Sequence, residues 1–230
     1  MFRFLFVILR QTNKPTGLYL LVRIRMERNE IKRREAILNE SFKLFLSKGY
    51  DAVSFTDIER VAKVTRGAIF YHFSNKEDLF KHVADRFVFV FLKDIDYGEE
   101  YLSSDTPLKV FMDKCLAIIE TRMEYFLQGV DADVTSASFM SFILYLKDHY
   151  ETWEEKVRIY EEKTVQTWGY VINLSKERSE IRPETDTTLL AETFHHLYLG
   201  LSFKGAMIDN LSVSVLRKQW EYIYKQQLIK

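Results

Sequence analysis

The chain has 230 residues, 47% of them hydrophobic, with 33 basic and 33 acidic side chains. This is enough for one substantial core, or for a small domain beside a larger one, and three prolines with eight glycines leave too few breakers for a many-turned sheet protein. The single cysteine, Cys115, excludes an internal disulfide framework and a cysteine-based zinc site and fits a reducing cytoplasm.

The zero net charge is unevenly spread. Residues 1–86 hold 17 Lys/Arg against 10 Asp/Glu, a surplus of +7 that residues 87–230 mirror with −7. Such polarity suits a small module facing phosphate and a larger one that does not. Charge alone is equally compatible with solvated helix faces that sum unevenly.

Residues 1–26, MFRFLFVILRQTNKPTGLYLLVRIRM, carry an apolar run from Phe4 to Leu9 that is short for a signal-peptide core, and no small-residue cleavage site follows. Three assignments stand: an upstream extension with the start at Met26, an extra helix packed on the body, or an amphipathic membrane tether. The first is preferred, because Met26 directly precedes the first expected helix. No apolar run in the chain approaches the ~20 residues needed to span a bilayer.

Residues 28–48 form an amphipathic helix, with Ile31, Ala36, Ile37, Leu38, Phe42, Phe45 and Leu46 at three and four spacings and Lys48-Gly49 as its stop. Ser54 can cap a second helix whose inward stripe is Phe55, Ile58, Val61 and Ala62, with Asp57 completing a capping-box-like pair. After a junction of only Lys63 and Val64, Thr65 opens a third short helix. Its inward residues are Ile69 and Phe73, leaving Arg66, Gly67, Ala68, Tyr71 and His72 on the outer or leading edge. Helices joined so tightly cross steeply, and the second presents its N-terminal residues where a DNA major groove can take them.

The run Thr65-Arg66-Gly67-Ala68-Ile69-Phe70-Tyr71-His72-Phe73, followed by Lys76-Glu77-Asp78-Leu79, resembles the helix-turn-helix of the tetracycline-repressor (TetR) family of bacterial transcription regulators. By motif the resemblance covers roughly residues 28–92; beyond that it rests on helix number and on Glu180-Ile181-Arg182-Pro183, similar to the family's usual lead into its penultimate helix. Two positions differ, with Glu59 where the family usually has Ala and Lys63 where it usually has Gly. A non-glycine residue in a left-handed turn carries a steric cost. Family members usually begin only a few residues before the first helix, which also favours a start at Met26.

Helix four is expected to start near Asn75 and run to about Lys93, joining the domains rigidly. A polar break from Asp94 to Thr106 leads to Pro107, suited to a first helical turn. Five more helices follow, at about 107–127, 134–148, 151–178, 184–208 and 212–228. The fold class is therefore all-α, about nine helices: extension 1–26, helix-turn-helix domain 27–75, connecting helix 76–93, and a larger helical domain 94–230.

Matching the family's contacting positions, the resemblance implies that Ser54, Thr56, Thr65, Arg66, Ala68, Tyr71, His72 and Lys76 meet DNA. Chemistry sorts them. Thr65 and Lys76 sit near helix N-termini that attract phosphate; Arg66 can bond guanine through two parallel hydrogen bonds and Ala68 can touch a thymine methyl. The residues are equally compatible with Thr65 as only a cap, Tyr71 half-buried against helix one, and His72 as a solvated surface group. Ile69, Phe70, Phe73 and Gly67 are assigned to packing, Gly67 also permitting close backbone approach.

The back half is dense in aromatics and methionines, most of them expected core. The resemblance implies an effector pocket between helices five to eight, with Phe126, Phe139, Phe142, Trp168 and His195 as candidates, and apolar walls would favour a hydrophobic or amphipathic ligand. Adjacent His195 and His196 diverge by about 100° on a helix and cannot share a metal without help. No triad, Gly-rich phosphate loop or metal carboxylate set is present, so no enzyme, cofactor or metal is expected. Stripes on the last two helices, including Leu197, Leu201, Trp220 and Tyr224, are either internal core or the four-helix interface of a homodimer, which the resemblance implies and which reading two half-sites about 34 Å apart requires. The expected protein is a cytoplasmic homodimeric regulator on a near-palindromic double-stranded operator, released by a small molecule; an effector-independent DNA-organising protein is the alternative.

Overall fold

The computed structural model describes residues 16–89, 96–128, 134–208 and 210–229, with side chains 16–23 and 125–128 outside the description. Among the described residues there are nine α-helices: α1 Thr16–Lys48, α2 Phe55–Ala62, α3 Arg66–His72, α4 Lys76–Ala84, α5 Pro107–Gln128, α6 Ser136–His149, α7 Trp153–Glu177, α8 Thr187–Met207 and α9 Val213–Gln227. Helix α1 begins ahead of the expected residue 28, so Met26 falls within it. Side chains 24–29 are exposed and Ile31 is 64% exposed, which removes Ile31 from the inward stripe; the buried face starts at Ile37. The helix ends on Gly49 at φ 79, whose N–H donates to the Phe45 carbonyl, the left-handed cap that glycine adopts freely.

The starts of α2, α3 and α4 follow local rules. Ser54 and Asp57 exchange the two bonds of a capping box, Thr65 accepts from the Ala68 N–H, and Asn75 accepts from the Asp78 N–H. Helix α4 is regular as far as Ala84 and passes into a π turn, Asp85–Phe89; the last part of the expected helix, residues 90–93, lies outside the described residues. A short 3₁₀ turn, Glu100–Ser103, precedes α5.

Two hydrophobic cores result. The front core gathers Ile37, Phe42, Phe45, Ile58, Ile69, Phe73, Phe80 and Phe87 from α1–α4 and the π turn, together with Phe142 and Leu146 of α6. Phe42 stacks on Phe87 with ring centres 4.4 Å apart, and Phe142 meets Phe42 and Phe80 edge-on at 5.6 and 5.4 Å. Helix α6 thus lends its aromatic face to the front.

The back core is built by α5, α7, α8 and α9 around Trp168, which stacks on Phe194 at 4.8 Å and meets Phe111 and Trp220 edge-on. The Trp220 indole donates to the Phe194 carbonyl at 3.0 Å. Trp220 is 2% exposed and Tyr224 8%, so these two face inward and are corrected from interface to core. Leu197 and Leu201 are partly buried against the same cluster. Across the back, Glu180 accepts from the N–H groups of Leu108 and Lys109 at the start of α5 and from the Tyr224 hydroxyl. Gly205 is required where α8 meets its own outgoing loop, since a Cβ there would lie 2.6 Å from the Leu211 nitrogen.

Candidate nucleic-acid interface and buried cavity

Lys63 makes the turn between α2 and α3, at φ 54 and ψ 45, with its N–H on the Glu59 carbonyl. The left-handed geometry expected of a glycine is kept by a lysine, at a steric cost of roughly 1 kcal/mol. Ile69 and Phe73, both under 2% exposed, anchor α3 inward. Outward lie Thr65, Arg66, Gly67 and Tyr71, the last 70% exposed, with Ala68 and His72 partly covered. Phe70, expected to pack, is instead 47% exposed and rests on Phe55 alone among described rings, 5.0 Å away. A Cβ at Gly67 would approach nothing nearer than Thr65 Oγ1 at 4.0 Å, so packing inside this chain does not demand glycine there.

Arg66 is held. Its Nε donates to Glu59 Oε1 at 2.6 Å and its Nη2 to Thr56 Oγ1 at 2.9 Å, leaving both Nη1 hydrogens and one on Nη2 uncommitted among the described residues. Those are the nitrogens that a two-bond guanine contact uses. Sequence reasoning placed no role on Glu59; its opposite charge across the short junction from Arg66 was the available signal. Ser54 is occupied by its cap, donating to Asp57 Oδ2 at 2.6 Å while accepting from the Asp57 N–H. Thr65 likewise caps α3 and keeps its own hydroxyl hydrogen. Lys76 is drawn back, its Nζ 3.4 Å from the Asp51 carbonyl and 4.3 Å above the Tyr50 ring; burial lowers its pKa, against the pull of Asp51. Burial, aided by Arg34 and Arg33 and opposed by Glu30, lowers that of His72, so its ring is neutral at pH 7. The basic run continues the surface, with Lys32 and Arg33 exposed and Arg34 over the Phe73 ring at 5.4 Å.

A cavity of about 400 Å³ lies among the π turn and α5–α8. Phe87 and Val88 of the π turn, Ile118, Ile119 and Met123 of α5, Phe139, Met140 and Ile143 of α6, and Trp153 and Trp168 of α7 form its apolar walls. Of the expected residues, Phe139, Trp168 and His195 line it. Phe142 does not, because its ring is buried in the front core, and it is corrected to packing. The Phe126 side chain lies outside the described residues. His195, 2% exposed, meets Glu161 Oε2 through Nε2 at 2.5 Å, while His196 diverges, its ring centre 6.0 Å away. Among the described residues no three His, Cys, Asp or Glu side chains are grouped to hold a metal. Burial pushes the Cys115 thiol up, keeping it protonated. The sequence reading missed Arg122, Tyr97, Tyr160 and Tyr198; Tyr160 and Thr164 sit one turn apart on the Trp168 stripe, a mark of polar groups facing inward.

A tight helix-turn-helix with an exposed leading edge, carried by helices that line a cavity, defines a helix-turn-helix protein of the two-part, all-helical class. Residues 37–83 match the family model of bacterial regulatory proteins, tetR family. The chain is 32% identical to the HTH-type transcriptional regulator AcrR of Shigella flexneri over 93 residues, 38% of this chain and 40% of that protein. It is 43% identical to the HTH-type transcriptional repressor BepR of Brucella suis over 53 residues, 23% of this chain and 25% of that protein. The chain thus spans well under half the length of these two relatives. Among solved structures, a TetR-family transcriptional regulator from Cytophaga hutchinsonii superposes with TM-score 0.59 at 19% identity, covering 88% of this chain and 98% of that one. NalD, the secondary repressor of the MexAB-OprM multidrug efflux pump in Pseudomonas aeruginosa, does so with TM-score 0.58 at 21% identity, covering 86% and 98%. At such identities these superpositions carry the fold.

Proposed function

We propose that the chain is a sequence-specific DNA-binding transcriptional regulator, a repressor that leaves its operator when a small hydrophobic or amphipathic molecule enters the cavity. The observation that carries this is the α2–α3 unit, whose Arg66 is oriented by Glu59 and Thr56 beside exposed Thr65 and Tyr71, on the half of the chain with the +7 surplus. Arg66 and Ala68 read bases, while Thr65 and Tyr71 position the backbone. Among the described residues no helix is long and apolar enough to cross a membrane, and work on DNA places the protein in the cytoplasm.

The cavity is wired to the reading head. Phe87 lines it and also stacks on Phe42 of α1, so an occupant that displaces the π turn displaces the front core. Such a ligand needs only to bind the two arrangements with different affinity. Two copies pair through the outer face of α8. Leu189, His196, Gly200, Phe203 and Met207 are exposed along one stripe, and a Cβ at Gly200 would meet nothing within 4 Å, which leaves room for a partner helix.

The test is selection and sequencing of genomic DNA fragments bound by the purified protein at near-physiological salt, beside Arg66→Ala and Tyr71→Ala. A short inverted repeat recovered by the wild type and lost by both variants is expected. Salt-sensitive binding without a common sequence, indifferent to the substitutions, would replace this reading with the effector-independent DNA-organising one.

A further inference from the structure

The front half does not spend its positive charge evenly. Lys48 and Arg60 share Asp57, Lys81 pairs with Glu77, and Arg86 pairs with Glu35. On the N-terminal part of α1 the balance changes. Arg25, Arg28 and Lys32 are exposed and make no ion pair or side-chain hydrogen bond among the described residues. Helical steps of three and four place them within about 60° of one another, one stripe along about 10 Å of helix axis. By the same steps Glu27 and Glu30 project from the far side of the helix, and burial begins only at Ile37. Neither a core nor a counter-charge within the described residues accounts for the stripe.

A run of cations is commonly a solvated face; what separates this one is its place. Arg34 stands over the ring of Phe73, the residue that closes α3, at 5.4 Å, and the charges of Arg33, Arg34 and Glu30 all act on His72 in the last turn of α3. The stripe therefore starts beside the recognition helix. A helix some 10 Å across fills a major groove about 12 Å wide, so a helix packed next to it meets the groove wall, which is phosphate. We propose that the N-terminal part of α1 is a phosphate-binding arm, with Arg25, Arg28 and Lys32 on the DNA backbone that flanks the bases read by α3. The proposal rests on the chain binding DNA through α3, as described above. Each cation that reaches the backbone displaces condensed counterions, and an arginine can bond phosphate through two N–H groups at once. Such contacts add affinity and no sequence preference. An anionic lipid surface offers the same charge, but continuity with α3 puts the duplex in the path of the stripe.

The full chain is compared with Arg25→Gln/Arg28→Gln/Lys32→Gln by fluorescence anisotropy on the selected duplex and on a scrambled one, from about 50 to about 200 mM salt. Glutamine keeps the helix propensity of the face. A second triple variant, Arg158→Gln/Lys163→Gln/Lys218→Gln, removes exposed cations of the back half and controls for net charge. The arm variant is expected to bind both duplexes more weakly, with a plot of log affinity against log salt shallower by about 2–3 units per protomer bound, roughly 0.9 for each cation removed. Its preference for the selected duplex stays that of the wild type, and the back-half variant keeps the wild-type slope. An unchanged slope in the arm variant overturns the proposal, as does an equal loss in the back-half variant or a lost preference like that of Arg66→Ala. Vesicles of phosphatidylcholine with about a quarter phosphatidylserine give the remaining check: vesicle binding that the arm variant loses while its DNA slope stays would assign the stripe to a membrane instead. Should the triple variant lose helicity, the single substitutions decide, each lowering the slope by about one unit. The two readings fail separately. An inverted repeat recovered by a wild type whose slope the arm variant shares sinks the arm and spares the regulator; no common sequence, with a slope that still drops in the variant, does the reverse.

Discussion

Lys63 turns the chain left-handed between α2 and α3 without glycine's freedom. Lys63→Gly relieves the Cβ clash but loosens the unfolded chain, so a net gain of up to about 1 kcal/mol is expected in urea denaturation; a loss would mean that the lysine side chain contributes contacts of its own. Four residues earlier, Glu59 fixes the orientation of Arg66. Its replacement by alanine releases that side chain and removes a negative charge from the face offered to phosphate. Glu59→Ala is expected to bind random DNA more strongly and to lose about 1 kcal/mol, some five-fold, of preference for the selected sequence, the order of immobilising one side chain. Competition gel shifts with selected and scrambled duplexes measure it. The caps at Ser54, Thr65 and Asn75 were legible in sequence because a cap is a matter of three or four neighbours. Phe142, Trp220 and Tyr224 were not, because helical spacing says that a face is apolar without saying which neighbour it meets.

At the scale of elements, the segment Glu180-Ile181-Arg182-Pro183 proves to be a clasp. Glu180 closes the start of α5 from more than 70 residues away and holds the Tyr224 hydroxyl of α9, while Ile181 bridges Leu228 and the Arg182 N–H reaches the Gln227 carbonyl at 2.8 Å. Glu180→Ala strands two N–H groups and a buried phenol, and should cost about 3 kcal/mol, against about 1.5 kcal/mol for Tyr224→Phe. Guanidinium unfolding tests the ordering; equal effects would reduce the clasp to a single bond. Sequence identified this segment only by resemblance, since nothing local announces that a carboxylate caps a distant helix. The short front helices have an acid dependence of their own. The Ser54 hydroxyl and N–H hold the Asp57 carboxyl well below its usual range, and the Ser74 N–H does the same for Asp78. A carboxylate whose pKa falls on folding contributes fully above its unfolded value of about 3.9 and loses that contribution as pH drops below it. Protection of the α2 and α4 amides, taken relative to their intrinsic exchange rates, should therefore fall first as pH is lowered through about 4, and Asp57→Asn should flatten the dependence for α2.

For the whole molecule, the nine helices among the described residues and the sense of their order were legible because each carries its own period and stop. The partition of the cores was not. Five breaks after residue 93 suggest a back domain that begins there, yet α6 inserts its aromatic side into the front, drawn by a surface of Phe42, Phe80 and Phe87 that α1–α4 cannot cover by themselves. The proposed pairing face likewise shifts, from the inward Trp220 and Tyr224 to the outward stripe of α8. Phe203, 55% exposed on that stripe, is the residue to change. Phe203→Glu should give a folded monomer in sedimentation, with DNA affinity reduced about a hundred-fold or more through loss of the second half-site contact. A dimer that survives it would place the pairing face elsewhere.

The loan of α6 also bears on modularity. A reading head that folded on its own could be cut from one regulator and joined to the sensor of another as a cassette. Here the seam does not run between helices four and five: a transplant ending at residue 93 would arrive with its aromatic floor uncovered, and the host would have to supply a wedge matching Phe142 and Leu146. The natural unit of exchange is the reading head together with α6, two stretches of chain separated by the whole of α5.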